Sequence, residues 1–356
     1  MEDIGFPITR YVAIVPGIMG STLSYPGGEI WGSNILQNYR RLSKSSTELR
    51  WVGTKAKAQL WRTVGVVPTV QIRLWDKTLT YLAKHPHLSQ SRVIECPYDW
   101  RQSLQASSAD IVRVLEDRIG RSLNVPPGSH SERVTLLTHS MGALAIRVAI
   151  GQKLLDPGWI DRIIHMAPPL QGAPVAFRSL LYKTTLPFLN ETVRICHLVN
   201  YHRLVKYLFE AFQTFDSIYE LMPPKDNKFL VEAGTKRSNP LDGGWFDNDR
   251  VRKTIQTHAL IAVSHSILQS AGTKVFSIFT KDHSASRTDW EYVIREKTRE
   301  IVKDPFSPHE GDGTVPNYSA DVAQYPGCYP LPIANVAHMK MPNSTSAVHL
   351  LKGCGL

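Results

Sequence analysis

The run Val134-Thr-Leu-Leu-Thr-His-Ser-Met-Gly142 constrains this chain more than any other segment. Its first residues are apolar or β-branched, as a buried strand requires, and after Ser140 the sequence becomes helix-forming. A strand that breaks at Thr-His-Ser-Met-Gly predicts a nucleophile elbow, the sharp strand-to-helix turn that lifts a serine hydroxyl above a sheet. Strand and helix pass close together in such a turn, so its first and last positions favour glycine. Gly142 satisfies the second of these, but Thr138 occupies the first. The turn must therefore open slightly, or the threonine hydroxyl must find a local partner.

Serine is a weak nucleophile at its free pKa, so an elbow needs a base and a stabilised oxyanion beside it. The first strand ends in Val15-Pro-Gly-Ile-Met-Gly20, a turn that can aim a backbone N–H at a developing oxyanion. With the residue after the serine, this gives Ile18 and Met141 as the two donors, acting through backbone. Glu310-Gly-Asp-Gly-Thr-Val-Pro316 sets Asp312 between two glycines, 172 residues after Ser140, and the tight backbone this allows suits a carboxylate aimed at a histidine. The competing acid is Asp282, directly after a predicted strand; Asp312 is preferred. The base follows a final strand, at His338 in Ile333-Ala-Asn-Val-Ala-His338, 26 residues after Asp312. The expected catalytic set is Ser140, Asp312 and His338, in the chain order Ser, Asp, His that an α/β hydrolase requires.

Short β-branched runs alternate with helical patterns, as in a mostly parallel sheet with helices on both faces. Predicted strands are Tyr11–Val15, Arg92–Cys96, Val134–Thr138, Arg162–Ala167, Lys274–Thr280 and Ile333–Ala337. Predicted helices include Asp110–Leu123, Met141–Leu155 and Ser344–Leu351. The fold class is thus an α/β-hydrolase, one domain over 1–356, with a basic irregular insertion at about 22–75 and a helical cap or lid at about 175–270. In the cap, Phe209, Phe212 and Phe215 belong to an apolar stripe at helical spacing. Such a stripe serves a protein core more often than a lipid surface, but with Trp51 and Trp61 these phenylalanines are the candidate substrate contacts.

The net charge of +10 is concentrated. Arg40, Arg41, Lys44, Arg50, Lys55, Lys57, Arg62 and Arg73 face a single acid, Glu48, with Trp51 and Trp61 between them. Basic residues interleaved with tryptophan suit an anionic membrane surface, and a solvated insertion is the plainer alternative. No nucleic-acid module accompanies the charge, so no nucleic-acid partner is expected. The four cysteines, Cys96, Cys196, Cys328 and Cys354, form no CxxC pair, which argues against a metal site and a disulfide framework. No cofactor is expected. The N-terminal residues lack a secretory signal pattern and no apolar run spans a bilayer, so the expected location is cytoplasmic. Oligomeric state is left open.

The sequence resembles the lecithin:cholesterol acyltransferase and lysosomal phospholipase family. The resemblance rests on Val15-Pro-Gly, Pro97-Tyr-Asp-Trp-Arg101, Thr138-His-Ser-Met-Gly142, Ala167-Pro-Pro-Leu-Gln-Gly172, Gly311-Asp-Gly-Thr-Val-Pro316 and Val336-Ala-His338, all in order. It implies a serine hydrolase acting on acyl esters, often of lipids, with some members passing the acyl group to an alcohol. It also implies the triad and oxyanion donors named above, and Asp99 is expected to pair with Arg101 in a corner near the active face. The family's secreted members close an N-terminal lid with a disulfide, and this chain has no cysteine before Cys96. The alternatives are an acyltransferase, a soluble esterase for a small or macrocyclic ester, and a lipid-binding module with a vestigial site.

Overall fold

The computed structural model describes residues 10–32, 34–42, 44–67, 70–85, 92–128, 132–181, 201–232, 236–242, 244–282, 289–295 and 300–356. The chain begins with β1 (Arg10–Val15), β2 (Ser21–Tyr25), β3 (Gly28–Trp31), α1 (Ile35–Leu42), β4 (Lys57–Leu60), β5 (Thr63–Val67), β6 (Val70–Arg73) and α2 (Asp76–Ala83). It continues through β7 (Val93–Glu95), α3 (Leu104–Ile119), β8 (Arg133–His139), α4 (Met141–Gly151), β9 (Ile160–Met166) and α5 (Pro174–Leu181). Then come α6 (Tyr201–Phe212), α7 (Asp216–Glu220), β10 (Leu230–Glu232), β11 (Lys236–Ser238) and α8 (Asn248–Ser270). The chain closes with β12 (Lys274–Asp282), β13 (Asp289–Arg295), β14 (Glu300–His309), α9 (Asn317–Ala320), β15 (Cys328–Ala334) and α10 (Thr345–Gly353).

Six of these strands form one parallel sheet in the order β15-β12-β9-β8-β1-β7. From β1 the chain moves to β7 at one edge, then returns to β8 on the other side of β1 and builds outward. The reversal lies between β1 and β8, and the carboxyl ends flanking such a switch point are where open α/β sheets place their ligands. β8 shows no inside–outside alternation because both its faces are covered: six of its seven residues are buried, the apolar Val134, Leu136 and Leu137 among them. The strands expected near 11, 92, 134, 162 and 274 all occur in this sheet. The last runs over Cys328–Ala334 and not Ile333–Ala337. It includes Pro330 and Pro332, which a strand tolerates at a sheet edge, where the missing N–H faces no partner.

The segment at 22–75, expected to be irregular, is instead largely ordered. It forms a three-stranded sheet, β3-β2-β4, a β5–β6 hairpin and the helix α1. These strands are four or five residues long and β2 carries a register shift at Leu23/Ser24, so no period-2 pattern lasts long enough to be read. The cap expected over 175–270 is also narrower and mixed. Helix α8 buries Thr254, Thr257, Ile261, Ser264 and Leu268 and lies against α4, so it belongs to the helical layer on the sheet. A second four-stranded sheet, β11-β10-β13-β14, accompanies the helices α5 to α7. Residues 182–200 of the expected cap lie outside the described residues.

One ion pair fastens the inserted segment to the core. Asp99 and Arg101 are both fully buried. The Arg101 Nε donates to Asp99 Oδ1 at 2.9 Å and Nη2 donates to Oδ2 at 2.6 Å. The remaining Arg101 donors reach the carbonyls of Leu49 and Arg50 and the Tyr25 hydroxyl, while Asp99 accepts from the Ala56 N–H. A buried ion pair stabilises only when its other hydrogen-bonding groups are satisfied, and here they are drawn from the insertion.

A second buried carboxylate caps α3. Glu220 accepts from the Leu104 N–H at 2.6 Å and from the Thr257 hydroxyl at 2.7 Å. Burial outweighs these bonds and raises its pKa to about 7. The folded state thus keeps a proton that the unfolded chain loses near pH 4.5, so this group's contribution falls as pH rises from about 4.5 to 7 and is flat above. Glu220→Gln is predicted to match the wild type in urea stability near pH 5 and to exceed it at pH 8 by on the order of 3 kcal/mol, at about 1.4 kcal/mol per tenfold. A variant that loses ground at pH 8 would show that the ionised carboxylate is the stabilising form.

Candidate active site

Ser140 sits where β8 becomes α4, at φ 52° and ψ −129°, a conformation that side-chain-bearing residues rarely adopt. Such a residue costs roughly 1–3 kcal/mol and persists only where its surroundings hold it. Here the Ser140 N–H donates to the Met166 carbonyl at 2.9 Å, and its own carbonyl accepts from Ala143. Beneath the turn, α4 touches the end of β1. A Cβ on Gly142 would lie 2.5 Å from the Pro16 carbonyl oxygen and 2.7 Å from that of Val15.

Three side chains meet above this turn. The His338 Nε2 lies 2.8 Å from Ser140 Oγ, and its Nδ1 lies 2.7 Å from Asp312 Oδ2. All three residues are buried. The second Asp312 oxygen accepts the N–H groups of Thr314 and Val315 at 3.0 and 2.8 Å, and the His338 N–H donates to the Asp312 carbonyl at 3.0 Å. Asp312 and His338 are thus joined through both backbone and side chain, in the tight loop that Gly311 and Gly313 are expected to permit. The imidazole that bridges serine and carboxylate carries its proton on Nδ1 and leaves Nε2 free to accept. The competing Asp282 ends β12, with its backbone paired to Ala334. Its side chain lies outside the described residues.

The two expected oxyanion donors lie on the segments that meet at the serine. Met141 is the first residue of α4, where N–H groups have no partner inside the helix. Gly17 packs so closely that a Cβ there would lie 2.7 Å from Ser140 Cβ, and Ile18 follows it. The Tyr98 hydroxyl donates to the Pro16 carbonyl at 3.0 Å and so holds this loop. Tyr98 belongs to the expected corner, but its bond to the loop is not legible in sequence spacing.

Three further groups escaped the sequence reading. His139, next to the serine, places Nε2 3.1 Å from the His338 carbonyl, and burial lowers its pKa to about 3. Neutral, it donates there and holds the His338 backbone. The Thr138 hydroxyl finds its partner in His165 Nδ1 at 2.7 Å, and His165 Nε2 accepts from Arg147 Nε at 3.3 Å. That lone pair on Nε2 puts the His165 proton on Nδ1, donating to threonine. The unusual Thr138 was the one sequence signal for this relay.

The expected substrate contacts fare differently. Trp61, Phe212 and Phe215 are core residues. Trp61 packs edge-on against Trp31, Trp31 against Trp100, and Trp100 against Phe215, at centroid distances of 5.6, 5.7 and 5.5 Å. Phe215 in turn meets Phe212. Edge-to-face stacking fills this volume and leaves no ring surface for a substrate. Trp51 is half-buried beneath the Arg101 guanidinium, and Phe209 is half-buried on α6. Half of the basic segment is engaged in internal pairs: Arg50–Glu210, Lys55–Asp110, Arg62–Glu95 and Arg73–Asp76.

The family model of lecithin:cholesterol acyltransferase matches residues 61–250, more than half of the chain. The chain belongs to the lecithin:cholesterol acyltransferase family. Its sheet and elbow are those of an α/β hydrolase, and family and fold together mark an enzyme of the esterase, lipase and phospholipase type. The Tle4–Tli4 complex contains a chain with a TM-score of 0.52 at 13% identity, over 95% of this chain and 96% of that one. The mature lipase BlEst2 of Bacillus licheniformis gives 0.39 at 12% identity, over 99% and 92%. Phospholipase PlaB of Legionella pneumophila gives 0.45 at 11%, over 97% and 59%. No curated protein matches the chain by sequence.

Gly142→Ala tests the contact under the elbow. Its methyl has backbone oxygens as neighbours, which cannot turn aside, so we predict a loss of about 3 kcal/mol or more in denaturant unfolding. A variant within about 0.5 kcal/mol of the wild type would show that the contact yields.

Proposed function

We propose that the chain cleaves carboxylic acyl esters through an acyl-serine intermediate, with Ser140 as nucleophile, His338 as base and Asp312 as the group that orients the imidazole. The observation that carries this reading is the hydrogen-bonded line Ser140 Oγ–His338 Nε2 and His338 Nδ1–Asp312 Oδ2, at 2.8 and 2.7 Å. His338 takes the hydroxyl proton as Ser140 attacks the ester carbonyl, and Asp312 stabilises the imidazolium that forms. The oxyanion is received by the N–H groups of Ile18 and Met141, each contributing roughly 3 kcal/mol to the transition state. His338 then returns the proton to the leaving alcohol. Water, activated by the same imidazole, releases the acid; an alcohol at that step would make the enzyme an acyltransferase.

Ser140→Ala is predicted to abolish turnover with the fold intact, and fluorophosphonate to label the wild type alone. His338→Ala should cost nearly as much, with little further loss in the double variant. Asp312→Asn is expected to lose about 10⁴ in kcat, since it presents the wrong hydrogen-bonding partner to Nδ1, and Asp282→Asn to lose little. Labelling of Ser140→Ala, or the reverse ranking of the two aspartates, overturns the assignment.

Lipid esters are the substrate class that family membership favours. A second reading, a soluble esterase for smaller esters, is favoured by the paired basic residues and the buried aromatics of the expected lipid-facing surface. A series of esters of increasing chain length, tested free and in anionic vesicles, separates the two. On the lipid reading, long chains in vesicles are cleaved faster than short soluble esters and the advantage shrinks with salt. Rates that peak at short free esters and ignore vesicle charge select the soluble esterase. A reducing, cytoplasmic setting is part of the proposal, and the free thiols of Cys96, Cys328 and Cys354 agree with it.

A further inference from the structure

Arg147 lies two turns along α4 from Ser140 and is fully buried, yet among the described residues no carboxylate is hydrogen-bonded to it. Nε donates to neutral His165, and Nη1 lies 3.3 Å from His265 Nδ1. Burial holds His265 neutral as well, with its pKa near 3. Cys328, also beside the guanidinium, has its thiol pushed up by burial and stays uncharged. Nη2 has no hydrogen-bond partner among the described residues. A buried guanidinium whose neighbours are imidazoles and an uncharged thiol has no counter-charge, which a low-dielectric interior disfavours.

That charge stands in the wall of a cleft of about 600 Å³ between α8, the start of β15 and the loop after β9. The volume is within the range of small-molecule sites. The cleft shares no lining residue with Ser140, Asp312 or His338. Its other polar groups near Arg147 are Gln171 and Tyr325, hydrogen-bonded to each other, with the Tyr325 ring stacked on His265 at 3.8 Å. Lys225 and Asp226, of opposite charge and both exposed, also line it, and His258 is held neutral by burial with its pKa near 4. Much of the remaining wall is apolar, including Leu170, Ile255, Ala259 and Ala262. One buried, unpaired cation in a largely apolar cleft is complementary to an anionic head on an apolar tail.

We propose that this cleft is a second binding site, for an amphiphilic organic anion whose carboxylate or phosphate head is received by Arg147 Nη2. The tail lies along the face of α8 that carries Ile255, Ala259 and Ala262. The guanidinium's planar fork suits either head, since each presents oxygens at matching spacing.

Octanoate and octyl phosphate, with octanol as the neutral control, test this by calorimetric titration of the full chain at constant ionic strength. At least one of the two anions is expected to bind, at least tenfold more tightly than octanol, and which one does so names the head. Arg147→Met should weaken that anion at least tenfold and leave octanol unchanged. Without ligand it should melt at or above the wild-type temperature, because an unpaired buried charge has been replaced by an apolar chain. Ala262→Trp fills the mouth of the cleft from an exposed position, and should weaken the anion by a similar factor even where Arg147→Met fails to fold. Ser140→Ala should bind as the wild type does. The proposal is overturned if neither anion binds, if octanol binds as tightly, or if Ala262→Trp keeps the wild-type affinity.

Discussion

The backbone contact between the end of β1 and the first turn of α4 is the constraint on which the site depends. Gly142 brings α4 onto the carbonyls of Val15 and Pro16, and Gly17 brings the β1 turn onto Ser140 itself. With a side chain at either glycine, the two elements would stand apart and the Ile18 N–H would move away from the serine. The contact also holds Ser140 in its unfavourable backbone conformation, since β8, β9 and α4 are each anchored to the sheet around it. Tyr98 extends the constraint outward, because its hydroxyl fixes the Pro16 carbonyl from the far side of the loop. From there Asp99, Trp100 and Arg101 tie the same corner to the inserted segment.

Histidines serve three different purposes within this small volume, and their surroundings separate them. His338 meets a carboxylate on one side and a hydroxyl on the other, the two contacts a general base needs. His139 is adjacent in sequence to the serine, yet it faces a backbone carbonyl, and burial denies it a proton. His165 is held neutral by burial and by the charge of Arg147, and its Nδ1–H satisfies the hydroxyl of Thr138. Neutral histidine can donate from one nitrogen while accepting at the other, so it can pass a hydrogen-bonding constraint through a buried layer without adding charge.

The parallel sheet, the elbow and the tight loop at Asp312 were legible because each depends on local chemistry. Apolar runs mark strands buried on both faces, Gly142 marks a close approach, and paired glycines around Asp312 mark a tight loop. Elements set by tertiary context were not legible. Pro330 and Pro332 argue against a strand until β15 is known to be an edge. The α8 pattern fits a cap or a layer helix equally, and its packing on α4 decides between them. Trp61, Phe212 and Phe215 have the composition of a lipid-facing surface, and only their mutual stacking shows that they are core. His165 and Arg147 carry no motif at all; they follow from the polar group that Thr138 introduces into a buried turn.

Charge shows the same gap between composition and surface. Eight basic residues against one acid between 40 and 73 look like a patch for an anionic partner. Folding brings Glu95, Asp110 and Glu210 from three other regions of the chain to meet three of them, so part of the local excess becomes a set of ties between the insertion and the main body. Exposed pairs of this kind contribute about 0–1 kcal/mol each, and their larger effect is to remove the field that a bare cluster would project. Arg147 is the reverse case. In the sequence it is one arginine in an apolar helix, but in the fold it is a buried cation whose hydrogen-bonded neighbours are uncharged. Attraction for an anion depends on the charge left uncompensated after folding and on how far water screens it, and Arg147 is buried where the pairs of the basic segment stand partly in solvent.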